Sequence, residues 1–219
     1  MALTRYALTL LAEHLPGKRV LSLGYPDLVV RAEDIREIFG VEPTQFADYG
    51  AWHGVAHPLP ETYAVFEAIG ASLDCIDIRQ SRGVERVVDL NHACALGAYD
   101  IVIDPGTVEH CFNIGQAIMN AANAVAPQGR VFHISPLTMM NHGFYNINPT
   151  LLSDFYTQNG WTIETLVGVV KGGVFKVPSA QPFRAVPERA SLYCMARRDS
   201  CDELRFPTQA KYLANPDLA

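Results

Sequence analysis

The chain has 219 residues, 49% of them hydrophobic and 18% charged, with a formal net charge of −6 and a pI near 5.6. This composition excludes a globally disordered chain and suits a single domain with a sizeable core. It also argues against a nucleic-acid binder working through a broad basic face, while leaving room for a small anionic ligand.

The five cysteines, Cys75, Cys94, Cys111, Cys194 and Cys201, are odd in number and include no C-x-x-C pair. They read as reduced thiols in a cytoplasmic protein. At the N-terminus, residues 6–12 form an apolar run too short to span a bilayer and not followed by a small-residue cleavage signature. An amphipathic helix packed on the domain is expected there. No segment reaches membrane-spanning length, so no membrane partner is expected.

Beyond it, short apolar runs alternate with helical patterns. Residues 19–24 (RVLSLG) read as a strand. Helices are expected over Ala32–Phe39, where Ile35, Ile38 and Phe39 fall at helical spacing, and over 61–69, with Pro60 near the start. Strands follow at 73–78, 86–90 and Tyr99–Asp104, then an alanine-rich helix over 112–126 stopped by Pro127. A strand at 129–134 and a helix at 150–159 capped by Gly160 come next. Two late strands at 161–170 and 190–196 are joined by a Gly/Pro-rich connector without a helix.

Alternating strands and helices with buried-looking strands imply an α/β fold. The expected architecture is a Rossmann-like open, mostly parallel sheet of about seven strands, with helices on both faces and a C-terminal antiparallel hairpin at one edge. The expected organisation is one domain over residues 1–200, with a helical insertion at 28–72 and a tail at 201–219.

Open parallel sheets bind ligands at the carboxyl ends of their strands. Gly24, Tyr25 and Asp27 follow the first strand, and Asp77 with Ile78 ends the second. Asp89, Leu90, Asn91 and His92 follow the third, and Asp104, Gly106, Thr107, Glu109 and His110 the fourth. An acid ending the second strand can accept hydrogen bonds from both hydroxyls of a ribose. An acid ending the third can meet an adenine amino group, and a glycine after the first lets backbone approach a ligand. Each acid taken singly is equally a helix cap or a solvated group.

These stretches resemble the class I S-adenosylmethionine-dependent methyltransferases. VLSLG is similar to their first motif, LDCIDI to the second-strand motif with its acidic ribose ligand Asp77, and RVVDLN to the third with Asp89. YDIVIDPGTVEHCFN and APQGRVFHISP resemble the fourth motif and the strand that follows the next helix. The resemblance covers residues 19–197, and HGFYNINPTLLSDFY looks like a segment of an uncharacterised bacterial subgroup with a divergent first motif. It implies S-adenosyl-L-methionine as cofactor, held by Gly24, Tyr25, Asp27, Asp77, Ile78, Asp89, Leu90, Asp104 and Gly106.

The chain departs from that family at the first motif. Ser22 stands where an acid is usual, and Pro26 and Leu28 where further glycines are usual. Asp27 is the expected substitute for the acid. Gly24 and Asp77 are 53 positions apart (77 − 24), where a nucleotide-binding unit has about 20. The aromatic loop 48–54 (DYGAWHG) inside that interval reads either as a lid placing Tyr49 or Trp52 on the cofactor's sulfonium or as packing for the inserted helices.

On the acceptor side the candidates for catalysis are His110, His142 and Tyr145, a neutral histidine being a suitable proton acceptor. His133 reads as either a base or a satisfied core residue, and Glu109 as a favourable charge at a helix N-terminus. His110, His133, His142, Asp104 and Glu109 could converge on a metal ion, but no H-x-x-x-H or H-x-H spacing links those histidines, so no metal is expected. No G-x-S-x-G elbow is present either.

The expected activity is methyl transfer to a small-molecule acceptor in small-molecule biosynthesis. The alternatives are a cyclase or lyase acting on the cofactor itself and a non-catalytic binding protein. The oligomeric state is left open.

Overall fold

Tyr99–Asp104 (YDIVID) carries apolar side chains on both of its faces, so it needs cover on both sides. The computed structural model describes residues 2–178 and 186–215. In chain order the elements are β1 (Ala2–Thr4), α1 (Arg5–Leu11), β2 (Arg19–Leu23), β3 (Asp27–Val29), α2 (Ala32–Phe39), β4 (Phe46–Ala47), β5 (Leu59–Pro60) and α3 (Thr62–Ala68). There follow β6 (Ser72–Asp77), β7 (Arg86–Val87), β8 (Tyr99–Asp104), α4 (Ile114–Asn123), β9 (Val125–Pro136) and α5 (Pro149–Gln158). The chain closes with β10 (Thr162–Val170), β11 (Gly173–Lys176), β12 (Ser191–Arg197) and α6 (Ala210–Ala214).

The main sheet has eight strands in the order β11-β10-β12-β9-β8-β2-β6-β7, where about seven were expected. β9, β8, β2, β6 and β7 run parallel. β12 lies antiparallel between β9 and β10. The two late strands pair antiparallel, as β10 and β12, and β11 adds a further antiparallel strand on the outer side of β10. β11 occupies part of what reads in the sequence as a connector. Residues 179–185 of that connector lie outside the described residues, as do 216–219 of the expected tail.

Side chains alternate across the strands and split the core in two. Leu21, Leu23, Val102 and Val131 face α4 and α5, packing on Ile118, Ala121, Leu152 and Phe155. Val20, Ile101, Ile103 and Phe132 face α1, α2 and α3, packing on Leu8, Leu11, Ile35 and Phe66. The inserted segment therefore covers one face of the sheet. It is not purely helical, since β3 pairs with the N-terminal β1 and β4 with β5. No helix among the described residues is long and apolar enough to cross a membrane.

Two boundaries shift for local reasons. The helix expected over 112–126 stops at Asn123, and Val125 already pairs with Tyr99. Pro127 therefore marks an irregularity in a strand and not a helix stop, which suits a residue that cannot donate to a ladder. Next to it Gln128 has a φ of 61°, and a Cβ on Gly129 would lie 2.7 Å from the Asp100 carbonyl oxygen. The strand expected over 86–90 narrows to Arg86–Val87, and the chain after it becomes a cavity wall.

A buried polar chain crosses the α4/α5 side of the sheet. His133 on β9 joins Asp104 of β8 through Nδ1 at 2.7 Å and Tyr156 of α5 through Nε2 at 2.7 Å. Asp104 and His133 are fully buried, as is Tyr156. Burial pushes the Tyr156 phenol well above its ordinary pKa, so the hydroxyl keeps its proton and donates to Nε2. His133 is thus the satisfied core residue of the two readings. Tyr156→Phe keeps the packing but leaves a buried imidazole nitrogen unpaired. It should cost about 1–3 kcal/mol, measured by urea unfolding.

Candidate functional site

A cavity of about 700 Å³ opens at the carboxyl ends of the parallel strands, within the usual range for small-ligand sites. Ile76, Asp77 and Ile78 line it at the end of β6, and Val88 to Asn91 after β7. Pro105, Gly106 and Thr107 follow from β8, and Ile134 to Pro136 from β9. Ala2 and Thr4 of β1 close part of the wall, a contribution invisible in a segment that reads only as a helix.

Five of the nine expected cofactor residues line the cavity: Asp77, Ile78, Asp89, Leu90 and Gly106. The Asp77 carboxylate accepts the Arg79 N–H at a marginal 3.3 Å, leaving most of its acceptor capacity unused by that bond. Asp89 accepts the Asn91 backbone N–H at 2.9 Å and its side-chain amide at 2.8 Å, which holds its carboxyl below the ordinary pKa. Asn91 in turn accepts the Asn113 N–H at 2.8 Å, tying this wall to the start of α4. Gly106 has a φ of 98°, and a Cβ there would sit 3.2 Å from Glu109 Oε1.

Gly24, Tyr25, Asp27 and Asp104 are not part of the lining. Gly24 forms the expected positive-φ turn at 87°, its N–H donating to the Ile76 carbonyl at 2.6 Å. The Tyr25 hydroxyl donates to Glu61, the N-cap residue of α3, and burial raises its pKa. Asp104 is consumed by His133 and by the N–H groups of Thr107 (2.8 Å) and Val108 (3.3 Å). Asp27 does not stand free to replace the acid missing at Ser22. It takes two bonds from Arg82 at 2.7 and 3.0 Å and one from His53 at 2.8 Å.

Arg82 also decides the role of the aromatic loop. Its guanidinium lies 3.3 Å from the Tyr49 ring centre, 4.9 Å from Trp52 and 5.2 Å from Tyr25. The loop does close over a cation, but the cation is the protein's own. Nothing in the spacing of the sequence singled out Arg82, because it reaches Asp27 across 55 positions. Arg82→Met would leave Asp27 buried beside His53 alone. Loss of one partner of a buried pair should cost about 3–5 kcal/mol, read by urea unfolding with Trp52 emission reporting the loop. A loss below ~0.5 kcal/mol would overturn this assignment.

On the acceptor side, His110 and His142 both line the cavity, with ring centres 5.3 Å apart. Burial, and then the neighbouring His142, lower the His110 pKa. Tyr145 is not in the lining; its hydroxyl donates to the Phe112 carbonyl at 2.8 Å and ties two loops together. The residue whose placement the sequence reading misjudged is Glu109, expected as a favourable charge at a helix N-terminus. It belongs to a short 3-10 turn, Val108–His110, not to the helix, and its side chain is fully buried. Neither carboxylate oxygen has a hydrogen-bond partner among the described residues. Burial, then the Asp104 charge, raise its pKa to about 8. Its only advance signal was its position just past the tip of the fourth strand.

No family model and no curated protein matches the chain. Among solved structures it is similar to TehB from Haemophilus influenzae, with a TM-score of 0.51 at 11% identity, covering 87% of this chain and 61% of that one. The chain thus spans about three-fifths of the length of TehB. It is also similar to the N-methyltransferase NodS from Bradyrhizobium japonicum WM9, with a TM-score of 0.50 at 12% identity, covering 90% of this chain and 94% of that one. With β7, β6, β2, β8 and β9 in parallel, β12 reversed beside them and a cavity at the strand tips, the chain has a Rossmann-like α/β fold, shared with these two solved structures.

Proposed function

We propose that the protein is an S-adenosylmethionine-dependent methyltransferase acting on a small-molecule acceptor. The observation that carries this reading is the placement of Asp77, Asp89 and Gly106 on one cavity at three successive strand tips. The likeness to a solved N-methyltransferase of this fold supports it. The donor set suits the cofactor. Asp77 has acceptor capacity for the ribose hydroxyls, Ile78 and Leu90 give apolar faces for an adenine, and Asp89 stands beside them. Gly106 leaves the backbone bare where a side chain would crowd Glu109.

Bound S-adenosylmethionine would supply an electrophilic methyl on a sulfonium, open to in-line displacement with the C–S electron pair returning to sulfur. The chain's own part is alignment and proton handling. Buried Leu90 gives the cavity an apolar wall. His110 and His142 stand on the acceptor side, where either imidazole can accept the proton that an acceptor hydroxyl or amine gives up.

A second reading, reaction of the cofactor's own amino-acid chain, draws on one observation. The acid beside the first turn, Asp27, is already bound to Arg82 and His53, so that end of the cofactor lacks the usual acidic anchor. Product analysis separates the two: S-adenosylhomocysteine marks methyl transfer, methylthioadenosine a cyclase or lyase.

Calorimetric titration should show binding of S-adenosylmethionine and S-adenosylhomocysteine. Asp77→Ala should weaken both by roughly tenfold or more, the loss of hydrogen bonds to a charged group. Absence of binding by the wild-type protein would overturn the reading; unchanged binding by the variant would overturn the ribose assignment.

A further inference from the structure

Glu109 poses a problem of physical chemistry. A carboxylate with no exposed surface and no hydrogen bond is costly to bury unless a cation meets it. Two imidazoles face it across the cavity. His142 Nε2 lies 3.5 Å from Glu109 Oε1, and His110 Nε2 lies 3.9 Å from the same oxygen. One donor atom from each of the three residues falls within 4.8 Å of the others. We propose that Glu109, His110 and His142 form a binding site for a divalent transition-metal ion, with Zn²⁺ as the reference ion.

Two histidines and one carboxylate form a known catalytic donor set that leaves coordination positions open. Ligands about 2.0–2.2 Å from such an ion lie roughly 3.0–3.5 Å apart, so small side-chain rotations would bring the three donors onto one ion. The backbone is already arranged for it. Glu109 sits in the turn that Asp104 caps through Thr107 and Val108. The His142 loop is pressed against the same residue: Phe144 N–H donates to the Glu109 carbonyl at 2.9 Å, and a Cβ on Gly143 would lie 2.9 Å from that oxygen. Asn141 takes a φ of 61° to make this turn, and Asn146 accepts the Met139 N–H at 2.8 Å across it. The three donors come from two loops, after β8 and after β9, so no local spacing announces them.

The ion's open positions would face the cavity and take an oxygen of the acceptor, which makes a hydroxyl-bearing small molecule the substrate class. That consequence rests on the methyl-transfer reading; the metal site does not.

The test is equilibrium dialysis of chelator-stripped protein against Zn²⁺, with visible absorption of bound Co²⁺ as a second readout, both without cofactor. One ion per chain is expected. Glu109→Gln, His110→Ala and His142→Ala should each weaken binding by roughly tenfold or more. His57→Ala, outside the cavity, should leave it unchanged. Retained binding of S-adenosylhomocysteine would show that the variants are folded. No ion bound above that of a surface histidine, or binding untouched by the three substitutions, overturns the site. If the ion binds while neither adenosyl ligand does, the metal site stands and the methyltransferase reading falls.

Discussion

The chain Asp104–His133–Tyr156 is the interaction on which the rest of the site depends. All three groups are fully buried, and a buried polar network holds its surroundings rigidly only when every member is paired. Here one carboxylate does two things. Its Oδ2 anchors β9 and α5 through the imidazole, while its Oδ1 gathers the Thr107 and Val108 N–H groups. The turn that presents Gly106 and Glu109 to the cavity is therefore fixed by the same side chain that joins two strands to a helix.

The buried acids differ in what meets them. Asp104 is satisfied by a histidine and backbone donors. Asp27 is met by Arg82 and His53, and Arg82 is sandwiched by Tyr49, Trp52 and Tyr25, so the long segment between β2 and β6 closes on an internal ion pair. Glu109 has no hydrogen-bond partner among the described residues, only two imidazole nitrogens 3.5 and 3.9 Å from Oε1. Asp77 and Asp89, partly open to solvent, face the cavity instead. The distribution separates acids that hold the fold from acids left to meet a ligand.

The divergent first turn makes sense in the same terms. The Pro26 carbonyl accepts the Thr62 hydroxyl at 3.0 Å, and Leu28 is fully buried on the face covered by α1 to α3. Those two positions, glycine in the resembled family, work as packing here. Gly24 keeps the positive φ, and Thr107 donates to the Leu23 carbonyl, joining the ends of β2 and β8 beside the cavity.

The order of strands and helices, the glycine turn at Gly24 and the placement of Asp77, Asp89 and Gly106 at strand tips were legible in the sequence. They follow from local patterns: β-branched runs such as YDIVID, a glycine after a strand, and polar residues where an apolar run ends. The edge strand β11 was not legible, because a four-residue strand bounded by glycine carries little pattern. Nor were the partner of Asp27, the burial of Asp104 or the meeting of Glu109 with His110 and His142. Each of these is a contact between segments far apart in the chain or a matter of which side of a turn a side chain takes. The sequence by itself determined the alternation that makes a parallel sheet and the chemistry at its tips. Only the tertiary structure decided which acids are neutralised and which are left bare, since charge pairing and burial are set by distance in space, not by distance along the chain.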